Sequence, residues 1–96
     1  MTIRFSREMQ ITGKEFMHQL PAAIEPLTGT INGSQVVIRD GGKRVTITLI
    51  EEGVKHLGSL DLPMKEVVFE FDGYLEGEVE EFMTKFDTRT VRTGGD

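Results

Sequence analysis

Hydrophobic and polar positions alternate from Thr2 to Ile11 at the start of the chain. The apolar side of this segment contains Ile3, Phe5, Met9 and Ile11. A period of two predicts a β-strand with one buried face. Arg7 alone interrupts the apolar side, and marks either a bulge or the point where the strand leaves the core.

The period then changes from two to that of a helix. Thr12 and Glu15 have the spacing of a capping box, in which each side chain bonds a free backbone N–H at the helix start. The apolar stripe that follows consists of Phe16, Leu20 and Ile24, with Met17 beside them. Because the residue before a proline is disfavoured in a helix, Pro21 predicts a break. We therefore predict a short helix over about 13–20 and a second helical turn over 21–25.

Glycine-containing turn signals divide the middle of the chain into short apolar segments. These signals are Asn32-Gly33, Asp40-Gly41-Gly42 and Glu51-Glu52-Gly53. Such turns between alternating segments are typical of antiparallel hairpins. The predicted strands are 27–31, 35–39, 44–50, 54–62 and 65–71. In the last of them, Val67, Phe69 and Phe71 are expected to point into the core.

An acidic amphipathic helix is predicted from Tyr74 to Asp87. Its apolar stripe consists of Leu75, Val79, Phe82, Met83 and Phe86, at helical spacing. Its glutamates, Glu76, Glu78, Glu80 and Glu81, lie mostly on other faces. Asp72 precedes this segment and is a plausible N-cap.

These elements predict one α+β domain over 1–87, followed by a flexible tail over 88–96. The element order is β-α-α-β-β-β-β-β-α, which gives an antiparallel meander sheet of about six strands with the C-terminal helix packed across it. This order resembles a reduced version of the helix-grip architecture of lipid-transfer-type proteins. The resemblance implies an apolar pocket between helix and sheet, and the expected lining is Phe16, Met64, Phe69 and Met83. The short helix favours the alternative, in which side chains fill that space.

The charge of the chain is segregated. The 96 residues have a formal net charge of −5, and nine acidic residues between Asp61 and Asp87 outnumber the two lysines there. We predict a ligand or partner surface on this acidic helix, formed by Asp72, Glu76, Glu80 and Glu81. Carboxylates in a row could also hold a hard cation, but the loop pattern of a calcium site is lacking. An acidic chain without clustered Lys and Arg is a poor candidate for nucleic-acid binding.

Other classes of site find little support in the sequence. The absence of cysteine excludes disulfides and thiolate metal sites. His18 and His56 are too few for a zinc site, and no cofactor motif is evident; His56 is expected to be partly buried. No apolar run is long enough to span a membrane and no signal peptide is evident, so we expect a cytoplasmic protein without membrane insertion.

Three functional hypotheses follow. The first is a non-enzymatic interaction or assembly module, which presents its acidic helix or an exposed strand edge to a protein partner or to another copy of itself. The strands expected to pair between copies are the first strand, with Arg7, and the strand that contains Gly58. The alternative is a small carrier of apolar, lipid-like ligands, suggested by the architecture. The third is an enzyme that uses His18 or His56.

Overall fold

The computed structural model describes residues 2–90, apart from the side chains of Glu52 and Lys55. Within this range the elements are β1 (Thr2–Met9), α1 (Gly13–Ile24), β2 (Gly29–Asn32), β3 (Gln35–Asp40), β4 (Lys43–Leu57), β5 (Leu60–Asp72) and α2 (Glu76–Arg89). The five strands form one antiparallel sheet in the order β1-β5-β4-β3-β2. The predicted α+β class and the C-terminal helix on the sheet are confirmed.

The first strand follows its alternating pattern without interruption at Arg7. That residue keeps regular register opposite Val67 of β5, so neither a bulge nor a departure from the core occurs there. Its guanidinium forms an ion pair with the carboxylate of Asp87 in α2. A charge on the helix-covered face of the sheet is therefore compensated by the helix that covers it.

The predicted capping box of α1 is present. The hydroxyl of Thr12 accepts a hydrogen bond from the Glu15 backbone N–H, and the Glu15 carboxylate accepts one from the Thr12 N–H, each at 3.1 Å. Pro21 does not divide the helix, which contradicts the predicted break. A proline inside a helix costs about 3 kcal/mol, but each large buried apolar side chain contributes about 1.5–3 kcal/mol. The buried stripe that continues across the proline is Phe16, Leu20, Ala23 and Ile24.

The hairpin between β4 and β5 differs from the prediction. The expected turn at Glu51-Glu52-Gly53 is a β-bulge, with a register shift between Glu51 and Val54. Gly53 adopts a φ of +90°, which a glycine accepts in a bulge as readily as in a turn. The strand continues to Leu57, and Gly58, with a φ of +63°, allows the reversal that follows. The predicted strand 54–62 is thus divided between β4 and β5, and about six predicted strands become five.

The other two hairpins agree closely with the sequence pattern. The β3–β4 turn falls at Gly41-Gly42, as predicted. The β2–β3 turn is formed by Gly33 and Ser34, one residue later than the predicted Asn32-Gly33, because Asn32 still pairs with Gln35.

An aromatic cluster joins α2 to the sheet. The Phe86 ring meets Phe69 edge to face with centroids 5.3 Å apart, and Phe82 meets Phe71 at the same distance. The Phe16 ring of α1 packs against the Phe86 ring with centroids 6.0 Å apart, and this contact joins the two helices. The predicted inward orientation of Val67, Phe69 and Phe71 is confirmed, since all three are completely buried.

Both ends of α2 lie later in the chain than predicted. Leu75 is the N-cap and is 73% exposed, so it does not belong to the buried stripe. Asp72 is not the N-cap; it ends β5, where it accepts hydrogen bonds from Thr2 and Arg44. The helix continues through Arg89, so the first residues of the predicted tail 88–96 are helical. The rest of that predicted tail, 91–96, lies outside the described residues.

We expect the Phe86→Ala substitution to destabilise the protein by about 3–5 kcal/mol, because it leaves a cavity between α1, α2 and β5. Urea unfolding followed by circular dichroism measures this change. The matched control is Leu75→Ala, which removes an exposed side chain of α2's N-cap and should change stability by less than about 0.5 kcal/mol. Equal effects of the two substitutions would contradict the described packing.

Candidate interaction surface

The helices cover the sheet only as far as β3. Val36 of β3 and Ile31 of β2 are direct cross-strand partners and therefore share the helix-covered face. Val36 is 1% exposed, whereas Ile31 is 59% exposed. The cover of the core thus ends between these two residues, and the inner face of β2 is open to solvent.

A groove of about 740 Å³ lies between α1 and β2. Its lining is mostly apolar and consists of Met17, Leu20, Pro21, Ile24, Glu25, Pro26, Leu27, Thr28, Gly29, Ile31, Val36 and Arg89. The Arg89 side chain of α2 donates a hydrogen bond of 2.6 Å to the Glu25 carbonyl. This bond links the ends of the two helices at one side of the groove.

Gly29 leaves one inner-face position of β2 without a side chain. A Cβ built there would lie 2.7 Å from the Val36 Cγ1 and 3.4 Å from the Ile38 Cγ1, so a larger residue would require the Val36 side chain to move. The edge strand therefore offers one inner-face position with a bulky side chain, at Ile31, and one with none, at Gly29. These two positions are separated by one residue and differ in shape.

The outer edge of β2 is free of charge. Within residues 2–90, β2 pairs with β3 on one side and no strand pairs with the other. The sequence from Pro26 to Ile38 contains no Lys, Arg, Asp or Glu and is the longest such run in the chain. The opposite edge strand, β1, carries Arg4, Arg7 and Glu8, and charged residues are a common protection of strand edges. The edge of β2 lacks this protection.

The predicted acidic surface is only partly assembled. Glu76, Glu80 and Glu81 are exposed on α2, and in the described part of the chain none has an ion-pair partner within 4.0 Å. Asp72 is not among them, because it lies at the end of β5 and is bound by Thr2 and Arg44. The hydrogen bond from the Thr2 hydroxyl, followed by that from Arg44, lowers the pKa of the Asp72 carboxyl. Three carboxylates therefore remain available to a partner.

Glu78 has a structural role at the start of α2. Its carboxylate accepts a hydrogen bond of 2.9 Å from the Leu75 N–H and lies 3.2 Å from the Lys43 ammonium. The backbone bond, followed by the bond from Lys43, lowers the pKa of Glu78 below its ordinary value of 4.5. This glutamate fixes the helix start and is not part of the free acidic face.

The residues of the predicted pocket lining are buried or half-buried. Phe16, Phe69 and Met83 are core residues with exposures of 2%, 0% and 7%, respectively. Met64 is half-buried in β5, and none of the four lines the groove beside β2. Between α2 and the sheet, the rings of Phe86 and Phe82 pack against those of Phe69 and Phe71.

The two histidines lie on exposed surfaces. His18 is exposed on α1. His56 is exposed on the β4–β5 hairpin, which contradicts its expected partial burial, and its Nδ1 lies 2.6 Å from the Asp61 carboxylate. That hairpin extends beyond the bulge as two strands, with Leu57 and Leu60 also exposed. Across residues 2–90, no three His, Asp or Glu side chains are grouped closely enough to hold a metal ion.

Comparisons with known proteins give no match from which a function of the β2 edge or of the acidic helix could be inferred. No family model, no curated protein and no solved structure matches the chain. Neither of the helices in the described part has the length and apolar character needed to cross a membrane.

The β2 edge was not predicted as a site, although the sequence contains a signal for it. That signal is the uncharged run from Pro26 to Ile38, which is unusual in a chain with 28% charged residues. Whether this uncharged run indicates a binding site depends on the strand order, because central strands of a sheet commonly lack charged residues. Only the strand order places this run at an edge.

We expect Glu78→Gln to lower stability most at neutral pH. A carboxyl whose pKa is lowered by folding stabilises the protein above its unfolded value, and the contribution disappears as the pH falls through the folded value. The difference in the free energy of unfolding between wild type and variant should therefore be constant above about pH 5.5 and should shrink below about pH 4.5. Urea unfolding over this pH series measures it, with Glu80→Gln as the unpaired control. A difference independent of pH would contradict the assignment.

Proposed function

We propose that this protein is a non-enzymatic interaction module that binds an extended polypeptide segment at the edge of β2. In this mode of recognition a segment of the partner adds a strand to the sheet. Its main chain bonds the free N–H and C=O groups of the edge, and alternate side chains enter a neighbouring groove. We place this activity in the cytoplasm, in keeping with a chain that lacks cysteine.

The observation that carries the proposal is the pair Ile31 and Val36. Ile31 is 59% exposed next to a partner that is 1% exposed, so among residues 2–90 no element covers this apolar part of the sheet face. An unprotected strand edge and an apolar groove therefore lie side by side. Each supplies one of the two components of strand addition, hydrogen bonds from the edge and side-chain contacts from the groove.

The geometry defines the chemistry of the bound segment. Every second side chain of an added strand would share the face of Ile31 and contact the groove, while the others would face solvent. The groove is mostly apolar and the edge is uncharged. We therefore propose a segment with apolar residues at alternate positions and few charges.

The acidic face of α2 is a second surface of the same module. Glu76, Glu80 and Glu81 are exposed and without ion-pair partners in the described range. They would complement a basic partner by electrostatic attraction, which weakens as salt is added. This surface supplies charge but no apolar contact, so strand addition is the interaction that we place first.

Selection of short random peptides on the immobilised protein tests the proposal. We expect the selected peptides to be poor in charge and to have apolar residues at alternate positions. Ile31→Lys should weaken their binding at least about tenfold, because it places an unpaired charge in the groove. The matched control is Leu60→Lys, since Leu60 is similarly exposed, at 61%, but lies on the β4–β5 hairpin.

Two results would count against strand addition at β2. One is a set of peptides whose affinity does not respond to Ile31→Lys. The other is a set rich in Lys and Arg whose binding is lost when Glu76, Glu80 and Glu81 are replaced by glutamine, which would transfer the interaction to α2.

A carrier of small apolar ligands is the second candidate, and the size of the groove favours it. A volume of about 740 Å³ falls within the range of about 300–1,000 Å³ for small-molecule sites. Native mass spectrometry of the protein purified from cells would then show a retained ligand of constant mass. That ligand should be lost from Ile31→Lys and kept by Leu60→Lys; a wild-type protein without added mass would remove this candidate.

A further inference from the structure

We infer that the segment received by the β2 edge is β2 of a second copy of this chain, so that two sheets join into one of ten strands. The inference rests on the proposed function and names its partner. It follows from three features of the edge: the register that a two-fold axis permits, the complementary shapes of Gly29 and Ile31, and the absence of charge.

A two-fold axis restricts the possible register. Two copies of β2 pair in an antiparallel manner when the axis is perpendicular to the sheet, and the helix-covered faces then lie on the same side. Directly opposite residues must share a face, so Thr30 lies opposite Thr30 of the second copy, or Ile31 lies opposite Ile31. The strand therefore has only two registers close to its centre.

The shape of the inner face selects the register centred on Thr30. In that register Ile31 of each copy lies opposite Gly29 of the other. Gly29 has no side chain and lines the groove, so the position opposite Ile31 of the second copy carries no bulk of its own. The exposed Ile31 of the second copy would then pack across Gly29 onto Val36 and Ile38, whose side chains lie against that position.

The distribution of charge along the chain favours pairing of two copies through the β2 edge. Each copy has a net charge of −5, so most approaches of one copy to another are repulsive. The run from Pro26 to Ile38 contains no charged residue, and pairing through it places no like charges opposite each other. The other edge strand, β1, is charged, so growth stops at two copies and the symmetry is closed.

Light scattering on a size-exclusion column gives the first test. We expect twice the monomer mass of 10.8 kDa at high protein concentration, with dissociation on dilution. Thr30→Lys and Thr30→Glu should each be monomeric, because identical charges would then lie opposite each other. Thr30 is exposed in the monomer, so both variants should fold normally. An equimolar mixture of the two should recover the doubled mass, which a merely unfolded variant could not do.

Cysteine cross-linking gives the register. The natural chain has no cysteine, so a single introduced cysteine can form only an intermolecular disulfide. Thr30→Cys should cross-link under mild oxidation, since directly opposite residues in a sheet lie within disulfide distance. Leu60→Cys is the control, because Leu60 is exposed on the distant hairpin, and it should cross-link much more slowly.

The outcomes separate this inference from the proposed function. A doubled mass with rapid cross-linking of Thr30→Cys supports the inference. A doubled mass in which only Leu60→Cys cross-links places the contact on the hairpin and overturns it. A monomer at every concentration also overturns it, but the proposed function then stands if selected peptides still respond to Ile31→Lys. Rapid cross-linking of Ile31→Cys instead of Thr30→Cys would overturn the register.

Discussion

The contact between α2 and β5 determines the arrangement of the other elements. Phe82 and Phe86 meet Phe71 and Phe69 edge to face, a geometry that adds about 0.5–1.5 kcal/mol per pair beyond the burial of area. This contact holds α2 over β5, where the adjacent strand β1 can pair Arg7 with Asp87. The helix α2 therefore covers one half of the sheet. Its Asp87 compensates the charge of Arg7, which lies on the helix-covered face of β1.

The position of α1 then follows from α2. Phe16 packs against Phe86, and Arg89 bonds the Glu25 carbonyl at the other end of the helix. Held at both places, α1 covers the sheet as far as Val36 and stops short of Ile31. The exposed edge is thus a consequence of the helix packing: moving α1 outward over β2 would separate Phe16 from Phe86 and open the centre of the core.

The sequence predicts those features that depend on local periodicity. The alternation in β1, the Thr12 capping box and the inward faces of β5 required only neighbouring residues. The packing of the C-terminal helix on the sheet was also predicted, but several other features decided by distant contacts were not. Gly53 was predicted to lie in a turn and Gly58 within a strand, whereas pairing with β5 makes the first a bulge and the second part of a turn. Pro21 is a valid break signal that is overcome because Leu20 and Ile24 are buried on either side of it. Leu75 has the spacing of the α2 stripe but precedes its first turn.

The uncharged run of the β2 edge was visible in the sequence, but its location at an edge depended on the strand order.

In the proposed complex, the affinity of the β2 edge would depend on its hydrogen bonds and its groove acting together. An exposed N–H or C=O group exchanges a hydrogen bond to water for one to the partner, so each such bond contributes only about 0.5–1.5 kcal/mol. A strand of four residues, Gly29–Asn32, offers few such exchanges, and association itself costs at least about 4 kcal/mol. Burial of an apolar side chain the size of Ile31 contributes about 1.5–3 kcal/mol, and the inferred two-fold pairing would bury one Ile31 from each copy. A symmetric contact would therefore gain twice the apolar contribution of a single inserted side chain.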